Sequence, residues 1–149
     1  MVYLPVKVEG ALLSVGDGHA AQGDGEVCGT AIETPIIITL RLTVVKDMPY
    51  VKTPHFSVPP SQDKTSLFPS PSSSIGDMGY YTTTGVEDSL LAATRSAVLE
   101  MITFLGAQKG LSRVEAYMLI SVAGDLRLHE VVDMPNYVVG CMMPRSIFE

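Results

Sequence analysis

The sequence SRVEAYMLISVAGDLRLHEVVDMPNYVVGCMM occupies residues 112–143, and its pattern changes from helix to strand within this one stretch. Ser112 and Glu115 have the spacing of a capping box, in which each residue bonds the backbone of the other at a helix start. After a glycine, two runs with the composition of strands flank the turn residues DMPN. The stretch therefore predicts a helix from residue 112 to about residue 122 and a closing β-hairpin with strands at residues 126–132 and 137–143.

The residues before this stretch predict more strands and a second helix. Apolar and polar side chains alternate most clearly at residues 36–45, so this run is predicted to be a strand with one buried face. Shorter strands are predicted at residues 2–8 and 50–58. Thr84 and Glu87 repeat the capping-box spacing and predict a helix that ends near residues 106–110. The predicted fold class is α+β, with a β-rich front, two helices and the closing hairpin.

A proline- and serine-rich stretch at residues 59–79 separates the β-rich front from the helical part. Proline cannot supply the backbone N–H that a helix or a central strand needs, so a loop is predicted here. A loop of this length inside a domain is typically functional or mobile. The chain of 149 residues is within the size of one domain, and residues 1–149 are interpreted as a single domain that carries this loop.

The composition excludes several classes of protein. The net charge is −6 without a cluster of Lys and Arg, so nucleic acid is not a predicted partner, because binding phosphates needs concentrated positive charge. No apolar run approaches the ~18 residues of a membrane span, and the first residues do not resemble a signal peptide. Two cysteines are too few for a disulfide framework. We therefore predict a cytoplasmic location with neither a membrane nor a nucleic acid as partner.

The glycine-rich stretch SVGDGHAAQGDGEVCGTAIE, residues 14–33, has the composition of a site loop. Its ionisable side chains between the glycines are Asp17, His19, Asp24 and Glu26. Glycine permits a positive φ and lets a ligand approach the backbone closely. Imidazole with carboxylates suits zinc, whereas sets dominated by oxygen suit calcium or magnesium. The alternative interpretation of the same residues is a glycine-rich turn with acidic caps.

Two segments carry a resemblance to a known family. VGDGHAAQGDGEVCGTAIE at residues 15–33 and LSRVEAYMLISVAGDLRLHEVVDMPNYVVGCMMPRSIF at residues 111–148 resemble the acetamidase/formamidase family. The resemblance is to the second half of its members only, since the Asn/His/Gly-rich motif of their first half has no counterpart here. It implies a β-sandwich with appended α/β elements and the hydrolysis of short amides to a carboxylate and ammonia.

The resemblance assigns roles within the loop as hypotheses. Asp17, His19 and Asp24 are the predicted ligands of a divalent metal, with zinc favoured and calcium the alternative. Glu26 is the predicted acid/base, because a carboxylate can take a proton from water and give it to the leaving nitrogen. Gln22 is predicted to hydrogen-bond the amide substrate.

Cys28 suggests a different chemistry, in which its thiolate attacks the substrate and Glu26 or Glu33 acts as base. Reactive cysteines need an electropositive setting. Nothing basic lies near Cys28 in the sequence, so a small structural residue is the favoured interpretation. His55 and His129 stand alone in the sequence and are not predicted to be catalytic.

Two functional classes remain open. The chain is either an amidohydrolase, acting alone or with a separately encoded N-terminal half, or a non-catalytic remnant that binds a metal or a small ligand. Its residues are 46% hydrophobic and 17% charged, which indicates a large apolar surface that needs covering. We therefore predict a homo-oligomer or a complex with such an N-terminal half, with a small amide as substrate.

Overall fold

In the computed structural model, which describes residues 1–60 and 79–148, two helices accompany an antiparallel sheet. The elements are β1 Val2–Tyr3, β2 His19–Ala21, β3 Ile32–Glu33, β4 His55–Val58, β5 Tyr80–Glu87, α1 Leu90–Lys109, α2 Arg113–Ala123, β6 Asp125–Glu130 and β7 Tyr137–Pro144. The five-stranded sheet has the order β1-β4-β5-β7-β6, and β2 and β3 form a separate pair. The predicted α+β class is confirmed.

The stretch from α2 to β7 folds as its sequence predicts. The hydroxyl of Ser112 accepts a hydrogen bond from the backbone N–H of Glu115 at 3.3 Å, and the Glu115 carboxylate accepts one from Ser112 N at 2.9 Å. This reciprocal capping box starts α2 and lowers the pKa of Glu115. β6 and β7 then pair antiparallel as the predicted hairpin, which forms one edge of the sheet.

Helix α1 packs across the central strands and forms the core with them. Thr83 of β5 donates a hydrogen bond from its hydroxyl to the Ala97 carbonyl at 2.8 Å. At Gly85 the helix backbone lies against the strand, because a Cβ atom there would overlap the carbonyl oxygen of Ala93. The fully buried side chains between helix and sheet include Ala93, Ala97, Met101, Leu105, Val139 and Cys141.

Helix α1 is also the one helix of the described residues whose length and composition would allow it to cross a membrane, with a mean hydropathy of 1.4. Of that apolar stretch, 33% is buried inside the protein. The core helix of a soluble domain has the same composition, because one of its faces packs against a sheet. The buried third of α1 packs on β5 and β7, and the absence of a membrane partner stays a prediction.

The predicted start of α1 at Thr84 was wrong. Thr84 lies in β5, where its hydroxyl donates to the carbonyl oxygen of Pro54 at 2.6 Å. The helix is capped instead by Ser89, whose hydroxyl accepts from Ala92 N at 3.2 Å. The sequence around Thr84 is YTTTGV, and its β-branched residues favour the pleated surface of a sheet over a helix start.

The predicted strand at residues 36–45 was also wrong. No backbone hydrogen bond joins these residues to any other described residue, and their side chains are exposed. The prediction of one buried face therefore fails, since every residue of the segment is exposed in the described structure. Alternation of side chains alone does not make a strand, because a strand also needs a neighbour that takes up its backbone hydrogen bonds.

Other predicted boundaries were too wide. The strand predicted at residues 2–8 is reduced to β1 Val2–Tyr3, and the one at residues 50–58 to β4 His55–Val58. The proline- and serine-rich loop predicted at residues 59–79 lies outside the described residues except at its two ends. Both cysteines are free, in agreement with the absence of a predicted disulfide framework.

Candidate functional site

The strand pair β2–β3 places three ionisable side chains in one group. His19 and Glu33 are directly opposite each other in the antiparallel register, and Asp17 precedes His19 by two residues. One ligand atom from each of the three lies within 4.8 Å of the others. The backbone of Asp17 has a φ of 57°, a left-handed conformation that is uncommon for a residue with a side chain. Such conformations concentrate at functional sites, because the surrounding structure has to hold them.

The imidazole of His19 is the centre of this group. Its Nε2 lies 3.1 Å from the Oδ1 of Asp17 and 3.2 Å from the Oε2 of Glu33. Its Nδ1 lies 2.9 Å from the Oε1 of Gln22. The side chain of His19 is 17% exposed, whereas the carboxylates of Asp17 and Glu33 are 81% and 50% exposed. The group therefore lies at the surface, open to a small ligand.

The partners of Gln22 determine which His19 nitrogen carries a proton. The Gln22 Nε2 donates to the backbone carbonyl of His129 at 3.1 Å, so its Oε1 is turned towards His19. An amide oxygen only accepts, hence Nδ1 of His19 carries the hydrogen and Nε2 faces the two carboxylates. The hydrogen bond to Gln22, followed by Asp17 and Glu33, raises the pKa of His19.

Glu33 is held by its own neighbours. Its Oε1 accepts hydrogen bonds from the Thr30 hydroxyl at 3.0 Å and from Ala31 N at 3.1 Å. Its Oε2 is left to face His19. Because both carboxylate oxygens have contacts within the protein, the Glu33 side chain is oriented before any ligand binds. Hydrogen bonds of this kind to a ligating side chain are typical of metal sites.

The donor set of this group fits a divalent metal. It offers one imidazole nitrogen and two carboxylate oxygens, which is a set that zinc binds. Donor atoms around a tetrahedral zinc, each about 2.0–2.2 Å from the ion, lie roughly 3.3–3.5 Å from one another. The distances from His19 Nε2 to the two carboxylates, 3.1 and 3.2 Å, are close to this spacing. Three protein ligands also leave a position open for water or substrate, as catalytic zinc sites do.

The loop that carries these residues is fixed to β6 and the turn after it. Asp24 forms an ion pair with Arg127 of β6, with 2.6 Å between Oδ2 and Nε. The carbonyl of Gly25 accepts a hydrogen bond from Val131 N at 3.1 Å. Gly25 has a φ of 82° and is buried, and a Cβ atom there would lie 3.2 Å from Val131. The absence of a side chain lets the loop approach the hairpin closely.

The structure brings together some of the residues predicted from the sequence and not others. Asp17, His19 and Gln22 lie in the group, while Asp24 is paired with Arg127. The role of Asp24 as a metal ligand stays a prediction. The contact that the structure shows is the ion pair that holds the loop to β6. Glu26 is half-buried in a 3₁₀ turn, outside the group, with a φ of 49°.

Glu33 is the member of the group that the sequence did not identify as a ligand. The sequence suggests it only as a base for Cys28, since it follows His19 by fourteen positions and lies on another strand. No local signal in the sequence marks this contact, because residues 22–31 separate β2 from β3 before β3 folds back onto β2. A ligand supplied by the opposite strand of such a pair has no fixed spacing in the sequence.

Both cysteines and the other two histidines lie outside the group of Asp17, His19 and Glu33. The thiol of Cys28 is exposed and donates to the Thr30 carbonyl at 3.2 Å, and burial raises the pKa of Cys141 to about 12. Burial lowers the pKa of His129, whose ring packs beside Phe56. His55 is fully buried in the core, with its Nε2 at 3.3 Å from the carboxylate of Glu100.

The curated relatives that match this chain are named formamidases. The chain is 35% identical over 164 residues to a provisional formamidase of Schizosaccharomyces pombe and 31% identical over 157 residues to the formamidase of Methylophilus methylotrophus. Each match covers 99% of this chain and 37% of the relative. The chain therefore spans well under half of the length of these two relatives.

Solved structures give the same result. The acetamidase of Yersinia enterocolitica matches at a TM-score of 0.69 and 30% identity, over 99% of this chain and 38% of that one. The acetamidase of Bacillus halodurans matches at 0.67 and 29% identity, over 99% and 43%. The sequence profile of the Acetamidase/Formamidase family matches residues 1–149, and the chain belongs to that family.

Proposed function

We propose that this chain holds a divalent metal at Asp17, His19 and Glu33 and forms part of an amidohydrolase for short linear amides. The observation that carries the proposal is the position of His19 Nε2 between two carboxylates, at 3.1 and 3.2 Å. The names of the relatives, formamidase and acetamidase, support formamide or acetamide as the class of substrate. The reaction breaks the amide C–N bond with water and gives a carboxylate and ammonia.

The chain's own residues have distinct tasks in this proposal. Gln22 fixes His19 in the tautomer whose Nε2 is free to ligate, and Thr30 and Ala31 orient Glu33. A divalent cation, when bound, would polarise the amide carbonyl and lower the pKa of a water molecule. Zinc is the ion that the imidazole favours, and calcium is the alternative.

Glu26 remains the proposed proton carrier. Its side chain is half-buried in the 3₁₀ turn Asp24–Glu26, on the same loop as Asp17 and His19. It would take the proton of the attacking water and give it to the leaving nitrogen. Asp24 would act through its ion pair with Arg127, as an anchor of the loop.

A non-catalytic metal- or ligand-binding domain is the second candidate. The chain matches 37% of each of the two relatives. Residues needed for turnover can lie in the part that is not matched, which favours this alternative. We also propose a cytoplasmic location, association with a further polypeptide or a second copy, and no nucleic acid as partner. The net charge of −6 supports the last point.

Metal binding tests the proposed function most directly. Elemental analysis of protein purified without chelator, followed by calorimetric titration with zinc and calcium, should show one ion per chain. His19→Ala and Glu33→Gln should each abolish or greatly weaken binding, whereas the matched control Glu9→Gln, an exposed acid outside the group, should not. Ammonia release from formamide and acetamide, with and without added zinc, then separates an active enzyme from a binding domain. If neither the elemental analysis nor the titrations with zinc and calcium show stoichiometric metal, the ligand assignment is rejected.

A further inference from the structure

Strand β6 contains a β-bulge at His129, beside the loop that carries the candidate metal group. The pairing of β6 with β7 shifts register between Leu128 and Glu130, so His129 has no residue opposite it in β7. The extra residue of a bulge is left out of the ladder, and bulges are frequent next to active sites, where they re-aim a group of the chain. The group that is re-aimed here is the backbone carbonyl of His129, which accepts the hydrogen bond of Gln22 Nε2 at 3.1 Å.

The imidazole of His129 occupies a space that exists because residue 140 is a glycine. A Cβ atom on Gly140 would lie 2.4 Å from the Nε2 of His129 and 2.5 Å from its Cε1. The methyl group of Thr82 borders the same space, at 3.1 Å from that Cβ position, and the ring centroid of Phe56 lies 5.6 Å from that of His129. Residues of β4, β5 and β7 therefore surround the half-buried ring, and this packing holds the bulge in one conformation.

The loop contacts alternate residues along this edge of the sheet. Strand β6 is the last strand of the sheet, so its outer backbone groups need partners other than a strand. Three contacts join the loop to these alternate residues: Asp24 to Arg127, Gln22 to His129 and Gly25 to Val131. The contact at His129 is the one that leads to a proposed metal ligand, because the Oε1 of the same Gln22 amide lies 2.9 Å from the Nδ1 of His19.

We propose that His129 is a positioning residue of the candidate metal group, which its bulge orients through Gln22. The inference rests on the proposed function and extends it to the hairpin. A backbone carbonyl only accepts, so the NH2 end of Gln22 must face the hairpin and its oxygen must face His19. Without that carbonyl, the two ends of the amide are exchangeable against His19, whose tautomer adapts to either. A turned amide would offer a donor to Nδ1 and favour the tautomer with its hydrogen on Nε2, the nitrogen that the metal needs.

Gly140→Ala tests the inference without changing a residue of the metal group. The added methyl group would displace the His129 ring, so the bulge would lose its packing and the carbonyl its direction. Zinc affinity, measured by calorimetric titration, should fall by about tenfold or more, the usual effect of residues that orient metal ligands. NMR of the imidazole nitrogens in the metal-free protein at pH 9 should show that His19 changes from hydrogen on Nδ1 to a mixture of both tautomers. A merely structural role of His129 would not change this spectrum.

His129→Ala is the second variant, because it removes the ring without any overlap, and both measurements should change in the same direction. The double variant should bind zinc no more weakly than His129→Ala, because both changes act on the same packing. Gly85→Ala is the matched control. Its Cβ atom would overlap α1 on the other face of the sheet, so it should lower stability and leave the zinc affinity and the His19 tautomer unchanged.

The tautomer of His19 decides the outcome. Hydrogen on Nδ1 in Gly140→Ala and His129→Ala, as in the unaltered protein, overturns the inference, and so does hydrogen on Nε2 in the unaltered protein. Zinc titration of the same samples distinguishes the two failures. Metal binding with an unchanged tautomer in both variants rejects the role of His129 alone, whereas a changed tautomer in a protein that binds no metal rejects the proposed function alone.

Discussion

The carboxylate of Asp24 lies 2.6 Å from the guanidinium of Arg127, and the ion pair joins residues that are 103 positions apart. Both side chains are partly exposed, at 52% and 24%, so the pair contributes little to the free energy of unfolding. Its effect is positional, because the same loop is bonded to the hairpin through Gln22 and Gly25. The closing hairpin thus serves as the support of the candidate metal group.

Arg127→Met should weaken zinc binding by about tenfold, since residues that support metal ligands typically affect affinity by 10–100-fold. Asp24→Asn should have a similar effect, and the double variant should be no weaker than either single one, because both changes break the same contact. Calorimetric titration measures all three, with Arg95→Met on α1 as the control. A further large loss on adding Asp24→Asn to Arg127→Met would show that Asp24 is itself a ligand.

Gln22→Leu should also weaken zinc binding, by about 10–100-fold, because His19 Nδ1 loses its acceptor and the ligating tautomer is no longer favoured. Gln22→Glu should restore part of the affinity, since a carboxylate accepts from Nδ1 equally well. Gln108→Leu removes an amide of the same size that bonds Tyr50 instead, and it should leave the affinity unchanged. If Gln22→Leu binds zinc as tightly as the unaltered protein does, Gln22 has no role in the metal site.

The parts of the fold that the sequence predicted well are those set by local contacts. The capping box of Ser112, the length of α2 and the β6–β7 hairpin depend on residues within a few positions of one another. Strand β5 was missed because its identity depends on partners far along the chain, β4 and β7. Thr84 has the residue type and spacing of an N-cap, but the sheet pairing of its neighbours outweighs that preference.

For the candidate site too, the sequence predicted the contacts between residues close together in the chain and missed those between distant residues. Asp17, His19 and Gln22 meet within one short loop, so their spacing in the sequence is enough to suggest a site. Glu33 joins them through the pairing of β2 with β3, and Asp24 is drawn to Arg127 of the distant hairpin. Neither contact leaves a trace in the local pattern.

Gly85→Ala should lower the free energy of unfolding by about 1–3 kcal/mol or more, the usual range for adding atoms to a packed core. A Cβ atom would overlap the Ala93 carbonyl and lie 2.7 Å from the Ala97 nitrogen, so α1 would have to move away from β5. Gly23→Ala is the matched control, since nothing lies within 4 Å of its Cβ position and its φ is −83°. Denaturant titration of both variants measures the difference, and equal midpoints would show that α1 does not pack as described.

Glu26→Gln should reduce turnover by about 10²-fold or more in whichever form of the protein releases ammonia, alone or in complex, because it removes the proposed proton carrier. Cys28→Ser should be much milder, since that thiol is exposed and bonded to the Thr30 carbonyl. Zinc affinity should be unchanged in both variants. Complete loss of activity in Cys28→Ser together with an unaffected Glu26→Gln would favour a cysteine nucleophile instead.

The buried pair of His55 and Glu100 predicts how stability depends on pH. Burial lowers the pKa of His55, against the partial opposition of Glu100, so the folded state holds this imidazole neutral. The other group that faces it is the Tyr81 hydroxyl, at 3.1 Å from Nδ1, and burial raises the pKa of Tyr81. An unfolded histidine has a pKa of about 6.5, so unfolding takes up a proton below that pH. Stability is therefore lost as the pH falls below this value, by at most about 1.4 kcal/mol per pH unit for one proton.

Denaturant titrations at pH 7.5, 6.5 and 5.5 measure this dependence, and the comparison is between variants. His55→Gln should make the loss of stability below pH 6.5 shallower, although it is less stable than the unaltered protein at pH 7.5 because a buried contact is removed. Adding Glu100→Gln removes the carboxylate that His55→Gln leaves without its partner and should leave the pH dependence as shallow as in His55→Gln. His129→Gln should remove its own share of the pH dependence, since burial also lowers the pKa of His129 and the two histidines contribute separately. If the curves of His55→Gln and the unaltered protein run parallel from pH 7.5 to 5.5, His55 is not the group that destabilises the fold in acid.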